Sequence, residues 1–164
     1  MKDIIVTGIA GLDRLLGGGL RAGSCTLVRG CPGTGKTTLG LQFIHHGATH
    51  GEPGVVITFE QFPEQLYADA ENLGWDLRGL EEDGLVRVIC TSPDVFLEQL
   101  SGTEGMIDRL VREMGVSRIL IDSLSHITML ASDPDEQRDL VYRMFNGIRR
   151  AGLTVMATKE AREE

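Results

Sequence analysis

One stretch of eight residues constrains this chain more than any other. Gly30-Cys31-Pro32-Gly33-Thr34-Gly35-Lys36-Thr37 satisfies G-x-x-x-x-G-K-[ST] at every specified position. The pattern has meaning only between a strand and a helix, and both flanks comply. Ser24 to Gly30 (SCTLVRG) is a short apolar run, and Lys36 to about His50 carries Leu39, Leu41, Phe43, Ile44 and Ala48, which reads as a helix. Glycines let backbone N–H groups turn towards an anion and approach it closely. The helix opening near Lys36 adds the positive end of its dipole. The loop therefore reads as a phosphate cradle, with Gly30, Pro32, Gly33, Thr34, Gly35, Lys36, Thr37 and Thr38 as binding residues. Lys36 is expected to reach the β- and γ-phosphates and the Thr37 hydroxyl to ligate Mg²⁺. ATP with Mg²⁺ is the expected ligand pair; such a loop sees phosphates and ignores the base.

The remaining chain alternates in the same way. Gly54–Glu60, Leu85–Cys90, Arg118–Asp122 and Leu153–Thr158 read as further strands, most of them near-continuous in hydrophobicity, as in strands covered on both faces. Pro63–Leu73 reads as a helix that stops before Gly74. Ile107, Leu110, Val111 and Met114 form a helical stripe ending at Gly115. Asp133 and Pro134 open a last helix with Leu140, Val141, Met144, Phe145 and Ile148 on its core face. This order predicts an α/β fold with a mostly parallel sheet between helical layers. At 164 residues one domain, 1–164, is expected.

Composition excludes several classes. The net charge is −8, which argues against constitutive nucleic-acid binding, because backbone affinity needs clustered Lys and Arg. No apolar window is long enough for a membrane span and no signal-peptide core is present, so the expected location is the cytoplasm. Cys25, Cys31 and Cys90 are too scattered for a disulfide framework or zinc site, and Cys25 and Cys90 read as small buried hydrophobes.

Two carboxylates complete the chemistry. Asp122 ends an apolar strand (Ile119-Leu120-Ile121-Asp122) and is expected to hold Mg²⁺, directly or through water. Ser123 and Ser125 beside it read as turn residues. Glu60 ends the strand Gly54–Glu60; strand C-terminal ends line the ligand crevice of such sheets. Spacing alone leaves two roles for it: a base for the attacking water, or a surface cap for the Pro63 helix.

Two longer stretches carry a resemblance. Gly8-Ile9-Ala10-Gly11-Leu12-Asp13-Arg14-Leu15-Leu16-Gly17-Gly18-Gly19-Leu20 resembles the opening segment of RecA-superfamily ATPases. Thr58-Phe59-Glu60-Gln61-Phe62-Pro63-Glu64-Gln65-Leu66, Gly74-Trp75-Asp76-Leu77 and Ile121-Asp122-Ser123-Leu124-Ser125 are similar to the KaiC branch. The likeness covers about residues 4 to 160. It implies a RecA-like P-loop NTPase fold, three layers α/β/α, in rings with ATP between neighbours. It also implies phosphate and Mg²⁺ roles for Lys36 and Thr37, a metal-side role for Asp122, and the catalytic base role for Glu60. Thr158 sits where the family often has a polar residue near the γ-phosphate. Two departures stand out. Gln61 replaces the second of two paired glutamates, and Gln cannot accept a proton. The family's domain also continues with further strands, so this chain is expected to lack the C-terminal ones.

The resulting expectation is a slow Mg²⁺-dependent ATPase acting as a regulatory or signalling module, binding ATP and ADP and assembling with copies of itself. The rivals are a nucleotide-binding module with negligible hydrolysis and a recombinase-like DNA-dependent ATPase. Elsewhere, His45, His46 and His50 read as a polar helix end rather than a metal site. Trp75 reads as core-edge packing, Arg149, Arg150 and Arg162 as a solvated face, and Glu81-Glu82-Asp83 as a solvated turn.

Overall fold

The computed structural model describes residues 3–102 and 104–161; Lys2 and Arg162 lie outside the described residues. The chain opens with a small antiparallel pair, β1 (Ile4–Ile5) and β2 (Leu20–Arg21), joined through α1 (Ala10–Leu15). The Asp13 carboxylate closes this segment by accepting bonds from the Thr7 amide, the Thr7 hydroxyl and the Gly8 amide at 2.7–3.1 Å. The main body follows as β3 (Cys25–Gly30), α2 (Lys36–Thr49), β4 (Gly54–Thr58), α3 (Pro63–Asn72), α4 (Leu77–Glu82) and β5 (Val86–Cys90). It continues with α5 (Pro93–Leu100), α6 (Met106–Met114), β6 (Arg118–Asp122), α7 (Leu124–Thr128), α8 (Pro134–Arg150) and β7 (Thr154–Glu160).

Five of these strands form one sheet in the order β3-β7-β6-β4-β5, and every neighbouring pair is parallel. Successive side chains on a strand face opposite sides, and two cores result. Val56, Leu120 and Met156 join Leu41, Ile44, Leu66 and Leu77 on the side of α2, α3 and α4. Val55, Ile57, Ile119, Ile121 and Val155 join Phe96, Ile107, Met144 and Ile148 on the side of α5, α6, α7 and α8. The central strands β4 and β6 are buried almost throughout, as their unbroken hydrophobicity requires.

β3 departs from that pattern. It lies at the sheet edge, and its residues alternate between exposed and half-buried. Leu27 is 51% exposed. Cys25 is exposed and Cys90 half-buried, so the expectation that both are buried fails; β3 pairs with β7 alone among the described strands.

Helix α2 lies close against β6. A Cβ at Gly40 would stand 2.4 Å from the Leu120 side chain, so only glycine allows this approach. At the other end of α2, buried Arg118 pairs with Glu52 at 2.6 Å and donates to the Phe43 carbonyl at 3.0 Å. Both its charge and its extra donors are thereby used, as a buried guanidinium requires.

Several local features differ from the sequence expectation. β4 stops at Thr58, whose hydroxyl accepts the Gln61 amide at 3.1 Å; Glu60 follows on a bend rather than ending the strand. β7 runs to Glu160, so Thr158 lies inside it. Glu81 is no solvated-turn residue: it belongs to α4 and accepts from the Tyr67 hydroxyl and the Val88 amide. Trp75 packs at the edge of the first core and stacks on His45. Asp133 caps α8 through the Asp135 and Glu136 amides, as its sequence predicts. No described helix is long and apolar enough to cross a membrane.

Candidate nucleotide site

The C-terminal ends of β3, β4 and β6 open on a cleft of about 370 Å³. Its lining is Pro32, Gly33, Lys36, Thr37, Thr58, Glu60, Gln61, Asp122, Ser123, His126 and Glu160. The loop from Gly30 bends through Gly33 and Gly35, which take φ of +77° and +88°, a region open to glycine and costly for other residues. Gly35 is the N-cap of α2. The amides of Gly33, Gly35, Lys36 and Thr37 find no backbone acceptor among the described residues. They form a set of donors at the mouth of a helix, the arrangement that receives anions. The Lys36 ammonium and the Thr34 hydroxyl both donate to the Cys31 carbonyl at 2.8 Å, so the loop is folded over its own lysine. Gly30 ends β3, and Thr38 is an exposed residue of the first turn of α2; Gly30, Thr34, Gly35 and Thr38 adjoin the cleft without lining it.

Asp122 meets the loop directly. Its Oδ2 accepts the Thr37 hydroxyl at 2.9 Å and its Oδ1 the Thr158 hydroxyl at 2.6 Å. Thr158 is fully buried and absent from the cleft wall; its hydroxyl faces the carboxylate. No described group of three or more His, Cys, Asp or Glu could cage a metal. A cation at Asp122 would therefore have one carboxylate and one hydroxyl from protein, with phosphate and water for the rest. Mg²⁺ accepts that set, because it keeps waters and shares substrate phosphates.

Glu60 stands across the cleft in different surroundings. Its side chain is 78% exposed. The N-cap of α3 is Phe62, with no side-chain cap bond, so Glu60 does not cap that helix. Its described partner is His126, whose Nε2 lies 3.6 Å from Glu60 Oε2. Sequence reasoning passed over His126. It comes from α7, which begins directly after Asp122 with Ser123 as N-cap. The Ser-Leu-Ser-His run after the strand carried the capping signal for that helix. Ser125 accepts the Glu160 amide at 3.1 Å, tying α7 to β7.

The other candidates lie elsewhere. His46 and His50 stack at 4.1 Å at the far end of α2. Burial, and then the nearby charge of His50, push the pKa values of His45 and His46 below the usual histidine value. Arg149 and Arg150 stand on α8, outside the cleft.

Comparisons with known proteins identify the family and the fold. The family model described as "ATPase: KaiC" matches residues 5–164. A circadian clock oscillator protein KaiC from Prochlorococcus marinus is 34% identical over 163 residues, covering 95% of this chain and 32% of that protein. Another, from Parathermosynechococcus lividus, is 33% identical and covers 96% of this chain and 30% of that protein. The chain thus spans about a third of the length of the curated relatives it matches. A crystal structure of a KaiC-like protein from the archaeon Pyrococcus horikoshii superposes with a TM-score of 0.82 at 31% identity, covering 96% of this chain and 70% of that one. With its parallel five-stranded sheet and phosphate loop, the chain belongs to the KaiC family of ATPase domains, nucleotide-binding domains of RecA-like fold.

Proposed function

We propose that residues 1–164 act as one ATP-binding domain that hydrolyses Mg²⁺-ATP slowly and uses its nucleotide state to regulate or signal, in assembly with copies of itself in the cytoplasm. The observation that carries this reading is the Thr37–Asp122 hydrogen bond under the phosphate loop, with a carboxylate, Glu60, on the same cleft.

In this reading the loop amides and Lys36 hold the phosphates of ATP and take up charge that develops on them during transfer. Thr37 and Asp122 would hold Mg²⁺, which would offset the charge of the phosphates. Thr158 supports this by orienting Asp122 rather than by touching phosphate. Glu60 takes the proton of the attacking water. The net charge of −8 disfavours a DNA-dependent ATPase.

Gln61 supports the rival, a nucleotide-binding module with negligible hydrolysis. It lines the cleft beside Glu60 and cannot take a proton. Turnover of Mg²⁺-ATP, with nucleotide affinity measured in parallel, separates the two. Glu60→Gln is expected to lower kcat by about 10²–10⁴-fold and leave affinity unchanged. Lys36→Ala is expected to weaken binding by about tenfold to a hundredfold, the worth of a charge-assisted hydrogen bond. Tight binding by the parent without turnover would make it a binding module.

A further inference from the structure

Glu60 poses a problem that the rest of the cleft does not. A base must be held within hydrogen-bond reach of its water, and misplacement by about 1 Å can cost about a hundredfold in rate. Yet the Glu60 side chain is 78% exposed on a bend, free to turn among several rotamers. The neighbouring backbone is pinned: the Phe59 amide donates to the Asp122 carbonyl at 3.3 Å and the Gln61 amide to the Thr58 hydroxyl at 3.1 Å. The carboxylate itself is left with one described partner, His126.

His126 is far better fixed. Its backbone lies in α7, and its amide donates to the Ser123 carbonyl at 3.2 Å. Its ring stands 6.0 Å from the Phe59 ring, which in turn packs on buried Phe96 at 5.7 Å. Its Nδ1 lies 3.4 Å from the Ser123 hydroxyl, leaving Nε2 to face Glu60 at 3.6 Å. The imidazole thus spans from a buried serine beside Asp122 to the exposed carboxylate.

We infer that His126 is a positioning residue for the hydrolytic step: its Nε2–H holds the Glu60 carboxylate over the cleft in the orientation that receives the water proton. This rests on the reading of Glu60 as base. His126 acts here through Glu60, so the inference concerns kcat rather than nucleotide affinity.

Four variants test it beside the parent protein. His126→Phe keeps a ring against Phe59 and removes the donor, whereas His126→Gln keeps an N–H donor. His126→Phe is expected to lower kcat about tenfold, with KM and nucleotide affinity within about twofold, and His126→Gln to recover most of the loss. Adding Glu60→Gln to His126→Phe is expected to slow turnover no further than Glu60→Gln alone. Parental kcat in His126→Phe, with Glu60→Gln inactive, would overturn the inference and leave Glu60 as base. Equal loss in the Phe and Gln variants would also overturn it. Parental turnover in Glu60→Gln would instead remove the base reading, and the inference with it. The ¹⁵N resonances of the His126 imidazole give a readout without turnover. They are expected to move when Glu60 becomes Gln, and an unchanged spectrum would show that the two groups do not engage.

Discussion

Asp122 and Glu60 are two carboxylates on one cleft, one ending a central strand and the other two residues past one, and their surroundings are opposite. Asp122 has a hydroxyl on each oxygen, Thr37 on one and buried Thr158 on the other. Glu60 is mostly in solvent, with a single imidazole 3.6 Å away. Position in the sheet explains the contrast. β6 lies between β7 and β4, so its terminal residue meets side chains from both β7 and α2. β4 ends two residues before Glu60, and a residue on a bend has no such neighbours. The part of the site that would grip phosphate and metal is preorganised by the fold. The part that would activate water depends on a longer, looser connection.

Removing both carboxylates in turn tests this contrast most severely. Asp122→Ala is expected to abolish the Mg²⁺ dependence of nucleotide binding and to lower turnover by about a hundredfold or more. It should also destabilise the protein by about 1–3 kcal/mol, because the buried Thr158 hydroxyl loses its short bond. Glu60→Ala should change the unfolding free energy by no more than is typical of surface sites, about 0.5 kcal/mol. Comparable destabilisation by the two would erase the distinction.

A smaller effect isolates the support of Asp122. Thr158→Val preserves shape and deletes the hydroxyl, leaving Oδ1 without its short bond. Destabilisation of about 1–3 kcal/mol is expected in denaturant titrations, with turnover lowered several-fold and the loop lysine unaffected. A parental denaturation curve would mean that Thr158 contributes no support.

The smallest effect lies outside the cleft and serves as its control. His45 and His46 have pKa values lowered by burial, so the unfolded chain binds protons that the folded chain resists. Their contribution is therefore present above the ordinary histidine value, about 6.5, and is lost as pH falls below it. Replacing both with Asn should flatten this part of the pH–stability curve without changing nucleotide affinity at neutral pH.

How much the sequence revealed depended on whether the signal was local. The phosphate loop was legible because glycine spacing, lysine and flanking elements all lie within one stretch. Asp122 was legible because a buried strand ending in a carboxylate is a local pattern. Helices α4 and α5 were passed over although Asp76 accepts from the Gly79 amide and Ser92 from the Val95 amide; these are short helices with weak periodicity. The exposure of Cys25 was not legible, because a run such as Ser24 to Gly30 cannot state whether it will lie at an edge. His126 and the Thr158–Asp122 bond were not legible either. Each joins residues dozens of positions apart, and only the strand order brings them together.

The close approach of α2 to β6 at Gly40 reaches further than packing. Gly40 is roughly one turn of helix beyond Thr37, and Leu120 is two residues before Asp122. The spacing of helix and strand at that point therefore helps set the distance between the Thr37 hydroxyl and the Asp122 carboxylate. A residue that touches no ligand acts as a spacer gauge for the site, and a methyl group added there would reset the gauge before it disturbed anything else.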